Sequence, residues 1–452
     1  MKYKKQIITI IITAVIIIAA GGLIKSRWNV WFGNPPEYPY QPTEVPMRIL
    51  MTYGCNGELS RMFTWIYGDK AEEGRVEITN NRTGATTILK AHSKIFSSRA
   101  GRAAYYCASV DSLSYASSYS YRILHPTDTT ELYHFRVPAK GEKTEFIFIG
   151  DVQDTLGGIS GKLFSEIELR NPDAGFYLFG GDVIERPMSC YWDQWFASMG
   201  TIPQTKPILA VPGNHEYLKG FPPYLEERFS LVFPYSKEIS SGDNFLFHTD
   251  VGDIAIFMLD SNKEFWTYPA QRRWLKLQME SSKALWKVVV LHHPIFSMRN
   301  QFNNILQRMA FNPIIKKYGV DLVLQGHEHA YMRKAMINAE RKETTPIYIT
   351  SHTSPKNYRI GFSGNSQRLG GGDRYYQRIS AIGDTLTVET FNSHHELYDK
   401  IVILKTKAGK QVKDCATGIP EKIEITPDMV RNTKKALKYK SEIDAYFGNK
   451  SK

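Results

Sequence analysis

The chain has 452 residues, 42% of them hydrophobic and 23% charged, and a formal net charge of +12. That length excludes one ordinary domain and points to two with tails; the hydrophobic share excludes a disordered chain. Much of the positive charge lies in the lysine-rich ends, and there is no arginine-rich helix or basic–aromatic interleaving, so no nucleic-acid-binding surface is expected.

Residues 1–27 read as a targeting segment. Lys2, Lys4 and Lys5 precede an uncharged run from Ile7 to Ile24, which is about long enough to span a bilayer. The positive flank belongs on the cytoplasmic side, so the rest of the chain is expected outside the cytoplasm, periplasmic or at the cell surface. Two fates stay open, an uncleaved membrane anchor and a signal peptide cleaved near Ala19-Ala20-Gly21-Gly22. Residues 28–46 carry Pro35, Pro36, Pro39, Pro42 and Pro46 and read as an extended linker.

From 47 to 140, short runs of strand character alternate with turn signals. Arg48-Ile49-Leu50-Met51-Thr52, Met62 to Tyr67, Arg75 to Thr79, Ser118 to Ile123 and Tyr133 to Val137 suggest an all-β sandwich. The region holds no clustered acids or histidines. The cysteines Cys55, Cys107, Cys190 and Cys415 match no zinc spacing. A Cys55–Cys107 disulfide is permitted outside the cytoplasm, and burial of all four as small apolar side chains is the alternative.

The pattern changes from 141 to 405. Apolar runs end at Gly150-Asp151, at Gly180-Gly181-Asp182, at Gly213-Asn214-His215, at Asp260, at His292-His293 and at Gly326-His327-Glu328-His329. Amphipathic stretches at Lys162 to Leu169, Tyr191 to Met199, Pro269 to Ser281 and Ile305 to Lys317 separate them. The alternation predicts an α/β layered fold, with polar groups gathered at the carboxyl ends of the strands. Gly326 is expected to let the backbone turn sharply before His327. Residues 406–452 form a lysine-rich extension, with a helix predicted near 427–447 from the capping signal Thr426-Pro427-Asp428.

Asp151, Gln153, Asp182, Asn214, His292, His327 and His329 are all potential metal ligands. Carboxylate, amide oxygen and imidazole together suit a pair of divalent ions or iron, and two-metal sites of this kind hydrolyse phosphoesters.

Gly-Asp-x-Gln, Gly-Asp-x-x-Glu, Gly-Asn-His-Glu, Val-x-x-His and Gly-His-Glu-His-Ala-Tyr, in this order, resemble the calcineurin-like metallophosphoesterases. The purple-acid-phosphatase branch, with a fibronectin-III-like domain in front, is the nearest likeness. The resemblance implies an αββα sandwich behind an all-β sandwich and two metal ions (iron, manganese, zinc or a mixed-valence pair). It implies acid-phosphatase-like phosphomonoester hydrolysis with a metal-bound hydroxide as nucleophile. Alternatives are a phosphodiesterase, a lipid-phosphate hydrolase at the membrane surface, or a catalytically weak surface binding protein. By motif, Asp182 would bridge the metals, Asp151 and His329 would hold the first, and Asn214, His292 and His327 the second. Gln153 stands where many relatives place a histidine ligand. His215 would serve the leaving group, and Glu216, His293, Tyr331, His352 and Arg299 are candidate substrate contacts. Two departures stand out. Glu185 occupies the place of the tyrosine that gives purple acid phosphatases their colour, and Ser297-Met298-Arg299-Asn300-Gln301 replaces a histidine pair of the plant enzymes.

Overall fold

A computed structural model describes residues 2–54, 56–235, 245–337, 342–362, 364, 366–430 and 432–450. The proposed Cys55–Cys107 pairing involves Cys55, which lies outside the described residues.

The N-terminal helix, Lys2–Phe32, is long and apolar enough to cross a membrane. The proline-rich stretch after it has no regular structure, as proline's missing N–H and fixed φ dictate, but it does not dangle. Glu37 is buried against Arg228, whose guanidinium lies 2.5 Å from the Glu37 carboxylate, and Glu37 also accepts from the Ser189 N–H at 2.6 Å.

The first domain consists of two four-stranded antiparallel sheets. One orders Met47–Gly54, Gly57–Ile66, Arg102–Val110 and His92–Ser97; the other orders Thr86–Lys90, Arg75–Asn80, Ser117–Leu124 and Tyr133–Val137. Phe63, Trp65, Tyr106, Tyr121 and Phe135 fill the space between them. The strands Thr86–Lys90, His92–Ser97 and Arg102–Val110 were not expected from the sequence. Two of the three are exposed over most of their length, so they lack the inside–outside alternation that marks a half-buried strand.

The second domain is a four-layer αββα sandwich. One seven-stranded sheet carries the parallel strands Ile208–Ala210, Phe176–Phe179 and Thr144–Ile149, then Tyr375–Ile382, Thr385–Asn392, Leu397–Thr406 and Gly409–Asp414. The other carries Phe247–Val251, Ile254–Met258, Trp286–Val290, Leu322–Gln325, Glu343–Thr350, Tyr331–Ile337 and Arg368–Gly370. The parallel strands read as continuous apolar runs because both faces are covered. Phe146, Phe148, Leu178, Ile256, Val290 and Leu324 meet between the sheets. Phe257, Val289 and Val323 point outward onto the helices Tyr268–Ser281 and Ile305–Lys317. All four helices predicted inside this domain are present, at Ser160–Arg170, Ser189–Met199, Tyr268–Ser281 and Ile305–Lys317.

Two boundaries differ from expectation. The first sheet runs past residue 405, because Thr406 to Gly409 is a hairpin turn and not an exit into a tail. The last helix is Thr433–Lys450, not 427–447. The Asp428 carboxylate is committed elsewhere, accepting from Asn357 N–H and Thr426 Oγ1, and Asn432 caps the helix instead through its Oδ1 on the Lys435 N–H at 2.9 Å.

Candidate metal centre

Parallel strands end on one edge, so their last residues meet there. Asp151 follows Thr144–Ile149, Asp182 follows Phe176–Phe179, and Asn214 to Glu216 form a single 3-10 turn after Ile208–Ala210. His292 follows Trp286–Val290, and His327 and His329 follow Leu322–Gln325. Gln153, Asp182, His327 and His329 all have positive φ, at 37°, 51°, 76° and 42°. Such conformations cost of order 1–3 kcal/mol each for non-glycine residues and concentrate at functional sites.

Two glycines permit the close approach. A Cβ on Gly213 would sit 2.1 Å from Asp182 Oδ1, and one on Gly326 would sit 2.6 Å from Asp151 Oδ2. Gly326 thus clears room for a carboxylate; the unusual backbone angles fall on the histidines after it.

One ligand cluster is tight. The ligand atoms of Asp182, His292 and His327 lie within 4.8 Å of one another. His292 Nδ1–H donates to the Gly180 carbonyl at 2.9 Å, which leaves Nε2 as its free nitrogen. That Nε2 lies 3.3 Å from Asp182 Oδ2, 3.1 Å from Asn214 Oδ1 and 3.2 Å from His327 Nδ1. His327 Nδ1 is also 2.9 Å from Asn214 Oδ1. Asp182 Oδ2, Asn214 Oδ1, His292 Nε2 and His327 Nδ1 therefore converge, a set of oxygen and imidazole donors that one cation among them would satisfy together. Burial alone would pull the His292 imidazole down, but the Asp182 carboxylate beside it, with Asp151 behind, takes it up to about 10. Burial and the neighbouring His293 and His292 hold His327 well below the usual imidazole range. The carboxylates thus favour positive charge at His292, while His327 beside it is kept neutral.

A second group adjoins it. His329 Nδ1–H donates to the Lys356 carbonyl at 3.0 Å, leaving Nε2 at 3.5 Å from Asp151 Oδ1. Asp151 Oδ1 and Gln153 Oε1 are both buried without a hydrogen-bond partner. Asp151 Oδ2 accepts from the His327 N–H at 2.6 Å, which ties the two groups together. Orphaned buried oxygens, imidazoles fixed in the correct tautomer by their other nitrogen, and hard-to-borderline donors fit divalent or ferric ions.

His215 is half-buried. Its N–H donates to Asp182 Oδ1 at 2.7 Å, and its Nδ1–H donates to the Glu185 carbonyl at 2.5 Å. The Glu185 carboxylate pairs with Lys356 at 2.5 Å. So the residue in the place of the family tyrosine orients His215 through its backbone and is engaged in an ion pair through its side chain.

Several candidate substrate contacts lie elsewhere. Glu216 is not open to a substrate. It is fully buried and accepts from the N–H groups of Gly213 (2.6 Å), Asp182 (2.9 Å) and Ile184 (3.2 Å), clamping the two ligand loops together. Burial, then the Asp182 charge, pushes its carboxyl up to about 8. Tyr331 is in the core between the sheets, its hydroxyl donating to Asp399 at 2.7 Å, because it opens a strand that pairs back into the sheet. His352 is wholly buried behind His329, ring centroids 5.4 Å apart. His293 is held by Ser261, 3.1 Å from its Nδ1, and burial, then His292, takes it down to about 3. Arg299 is exposed and lies over the ring of Tyr358 at 4.9 Å. Tyr358 in turn stacks on His329 at 4.1 Å and 16°. Tyr358 and Lys356 were not picked out from the sequence. Their only signal was membership of the Gly/Ser-rich stretch Ser354 to Gly372, which follows the strand Glu343–Thr350.

Residues 144–331 match the family model described as calcineurin-like phosphoesterase. The chain is 26% identical to purple acid phosphatase 21 of Arabidopsis thaliana over 252 residues, 52% of this chain and 54% of that protein. It is 23% identical to the Fe(3+)-Zn(2+) purple acid phosphatase 12 of Arabidopsis thaliana over 370 residues, 74% of this chain and 75% of the relative. The chain thus spans only a little over half the length of the first of these. Among solved structures, purple acid phosphatase PPD1 from yellow lupin (Lupinus luteus) seeds superposes with a TM-score of 0.65 at 16% identity, covering 86% of this chain and 77% of that one. That likeness shows the fold.

Proposed function

We propose, from the premise that residues 144–331 are a calcineurin-like phosphoesterase domain of the purple-acid-phosphatase-like branch, that this chain hydrolyses phosphomonoesters at a two-metal centre outside the cytoplasm. The convergence of Asp182, Asn214, His292 and His327, with Asp151 and His329 adjoining, carries the reading. Asp182 would be shared by two ions of iron, manganese or zinc; Asp151, His329 and Gln153 would complete one set, and Asn214, His292 and His327 the other. When bound, such ions neutralise phosphoryl oxygens and acidify water.

The chain's own groups supply the remaining functions. Gly180 and Lys356 carbonyls fix the tautomers of His292 and His329. His215, with Nδ1 occupied by Glu185, keeps its Nε2 for the leaving oxygen or a phosphoryl oxygen. The N-terminal helix supports anchoring outside the cytoplasm, and the first domain supports a fibronectin-III-like assignment through its two four-stranded sheets.

The test is metal analysis of the purified chain together with turnover of p-nitrophenyl phosphate and bis-p-nitrophenyl phosphate. Two metals per chain are expected, with loss of monoester turnover on chelation and recovery with iron, manganese or zinc. A protein that stays inert with all three metals would sink the proposal, and preference for the diester would overturn its monoester part.

A further inference from the structure

A cleft of about 780 Å³ opens beside Asn214 and His215, and its far wall is not part of the catalytic domain. Asn29 and Asn34, from the end of the N-terminal helix and the residues just after it, line the cleft together with Arg99 of the first domain and Arg186 and Lys219 of the second. The junction is fixed at several points. Asn34 exchanges two hydrogen bonds with the backbone of Lys219, each 2.9 Å, and Lys219 Nζ donates to the Val30 carbonyl at 2.9 Å. Arg99 donates to the carbonyls of Pro35 and Pro187. The Phe32 ring meets Phe221 edge-on at 6.2 Å.

The lengths decide where this cleft stands. The apolar run ends at Ile24, and Asn29 follows five residues later, about 7.5 Å along a helix rising 1.5 Å per residue. A bilayer's polar layer is about 5–8 Å thick on each side of its hydrocarbon core. With the run in the hydrocarbon, the cleft lies at the outer limit of the headgroups. The residues at this level are of the interfacial kind. Trp28 is 55% exposed, Trp31 45% and Phe221 93%, and aromatic rings concentrate at headgroup depth. Lys25 and Arg27 on the helix, and Arg99, Arg186 and Lys219 in the cleft, favour anionic headgroups.

We propose that the substrate is a phosphomonoester carried on a lipid headgroup of the leaflet into which the chain's own helix emerges. This rests on the phosphoesterase reading above and names its substrate class. Water's oxygen bonds to phosphorus as the P–O bond to the lipid alcohol breaks. The alcohol oxygen takes a proton from His215, which regains one from the water consumed; the alcohol stays in the membrane, while inorganic phosphate leaves to the water.

The test reconstitutes the full chain, metal-loaded, in phosphatidylcholine vesicles holding long-chain phosphatidate, and compares phosphate release from that lipid with turnover of p-nitrophenyl phosphate in the same sample. A seven-residue polar helical insertion between Arg27 and Trp28 lifts the cleft by about 10 Å and turns it by only about 20°. We expect the intact chain to cleave embedded phosphatidate, and the insertion to lower that rate about tenfold or more, since the cleft no longer reaches the headgroups, with p-nitrophenyl phosphate turnover kept. Should the insertion abolish both, Phe221→Asp, which leaves the helix intact, makes the same comparison. An intact chain that cleaves p-nitrophenyl phosphate and soluble short-chain phosphatidate but spares the embedded lipid would overturn the inference and leave the phosphoesterase reading standing. An unchanged rate on embedded lipid after insertion would overturn it too. An intact chain inert on every substrate would overturn both.

Discussion

His327 and His329 sit one residue apart, both with left-handed backbones, and their rings serve different neighbours: Asn214 and His292 for one, Asp151 for the other. Removing either is therefore expected to empty one half of the centre first. His327→Ala should lose the ion nearest Asn214 and His329→Ala the one nearest Asp151, each leaving about one metal per chain by elemental analysis. Equal loss of both ions in both variants would refute separate roles. His215 invites a different measurement. A general acid contributes about 10²–10⁴-fold, and the contribution grows as the leaving alcohol becomes a worse leaving group. His215→Ala should thus cost far more with an alkyl phosphate than with p-nitrophenyl phosphate; an equal loss would leave His215 a role on the phosphoryl oxygen alone. The four positive-φ residues add a thermodynamic consequence. Their strain persists because the surrounding structure over-determines it; metal that binds only the folded centre adds to that support, and at about a thousand times its dissociation constant should add about 4 kcal/mol to stability, read as a rise in the melting midpoint.

Among the elements, the first domain offers a group that titrates apart from the metal centre. His125 is buried, its Nε2 accepts from the Trp65 indole N–H at 2.9 Å, and its ring stacks on Tyr67 at 3.7 Å. Burial takes the imidazole down to about 4. The unfolded chain therefore binds a proton that the folded domain refuses between pH about 6.5 and 4. Stability contributed by this group is present above pH 6.5 and lost as pH falls through that window, by up to ~3 kcal/mol. Urea titrations of tryptophan fluorescence at pH 7 and pH 4.5 would show it, and His125→Asn should flatten the pH slope; an unchanged slope would exclude His125 as its source. The same scale shows what the sequence could and could not tell. Strand ends such as Phe179-Gly180-Gly181-Asp182 were readable because a buried parallel strand is an apolar run and its end must turn polar. Thr86–Lys90 and His92–Ser97 were not, since exposed edge strands have no buried face to pattern. Lys356 and Tyr358 reach His329 through a loop whose path is set by tertiary contacts, and nothing in their local composition distinguishes them. Glu216 looked like a loop acid because three backbone N–H groups that hold it come from residues near and far in sequence.

Across the whole molecule, the linker and the second domain are pinned by charge buried at their junction. Arg228 is 1% exposed and pairs with both Glu37 and Glu226. Arg228→Ala would leave two buried carboxylates without their cation, at a cost of about 3–5 kcal/mol. A fall in the urea midpoint and faster proteolysis after residue 37 are expected; unchanged proteolysis would mean that the remaining contacts hold the linker unaided. At the other end of the chain, the helix Thr433–Lys450 packs on the loop that carries Lys356 and Tyr358. Tyr439 accepts from the Ile360 N–H at 2.9 Å, Arg359 pairs with Glu442, and Asp428 accepts from the Asn357 N–H. Synthesis on a ribosome delivers that helix after every metal-ligating strand. Until it arrives, the loop stacked on His329 has no outer wall, so a nascent chain can hold every candidate ligand while the surroundings of His329 are still unfinished.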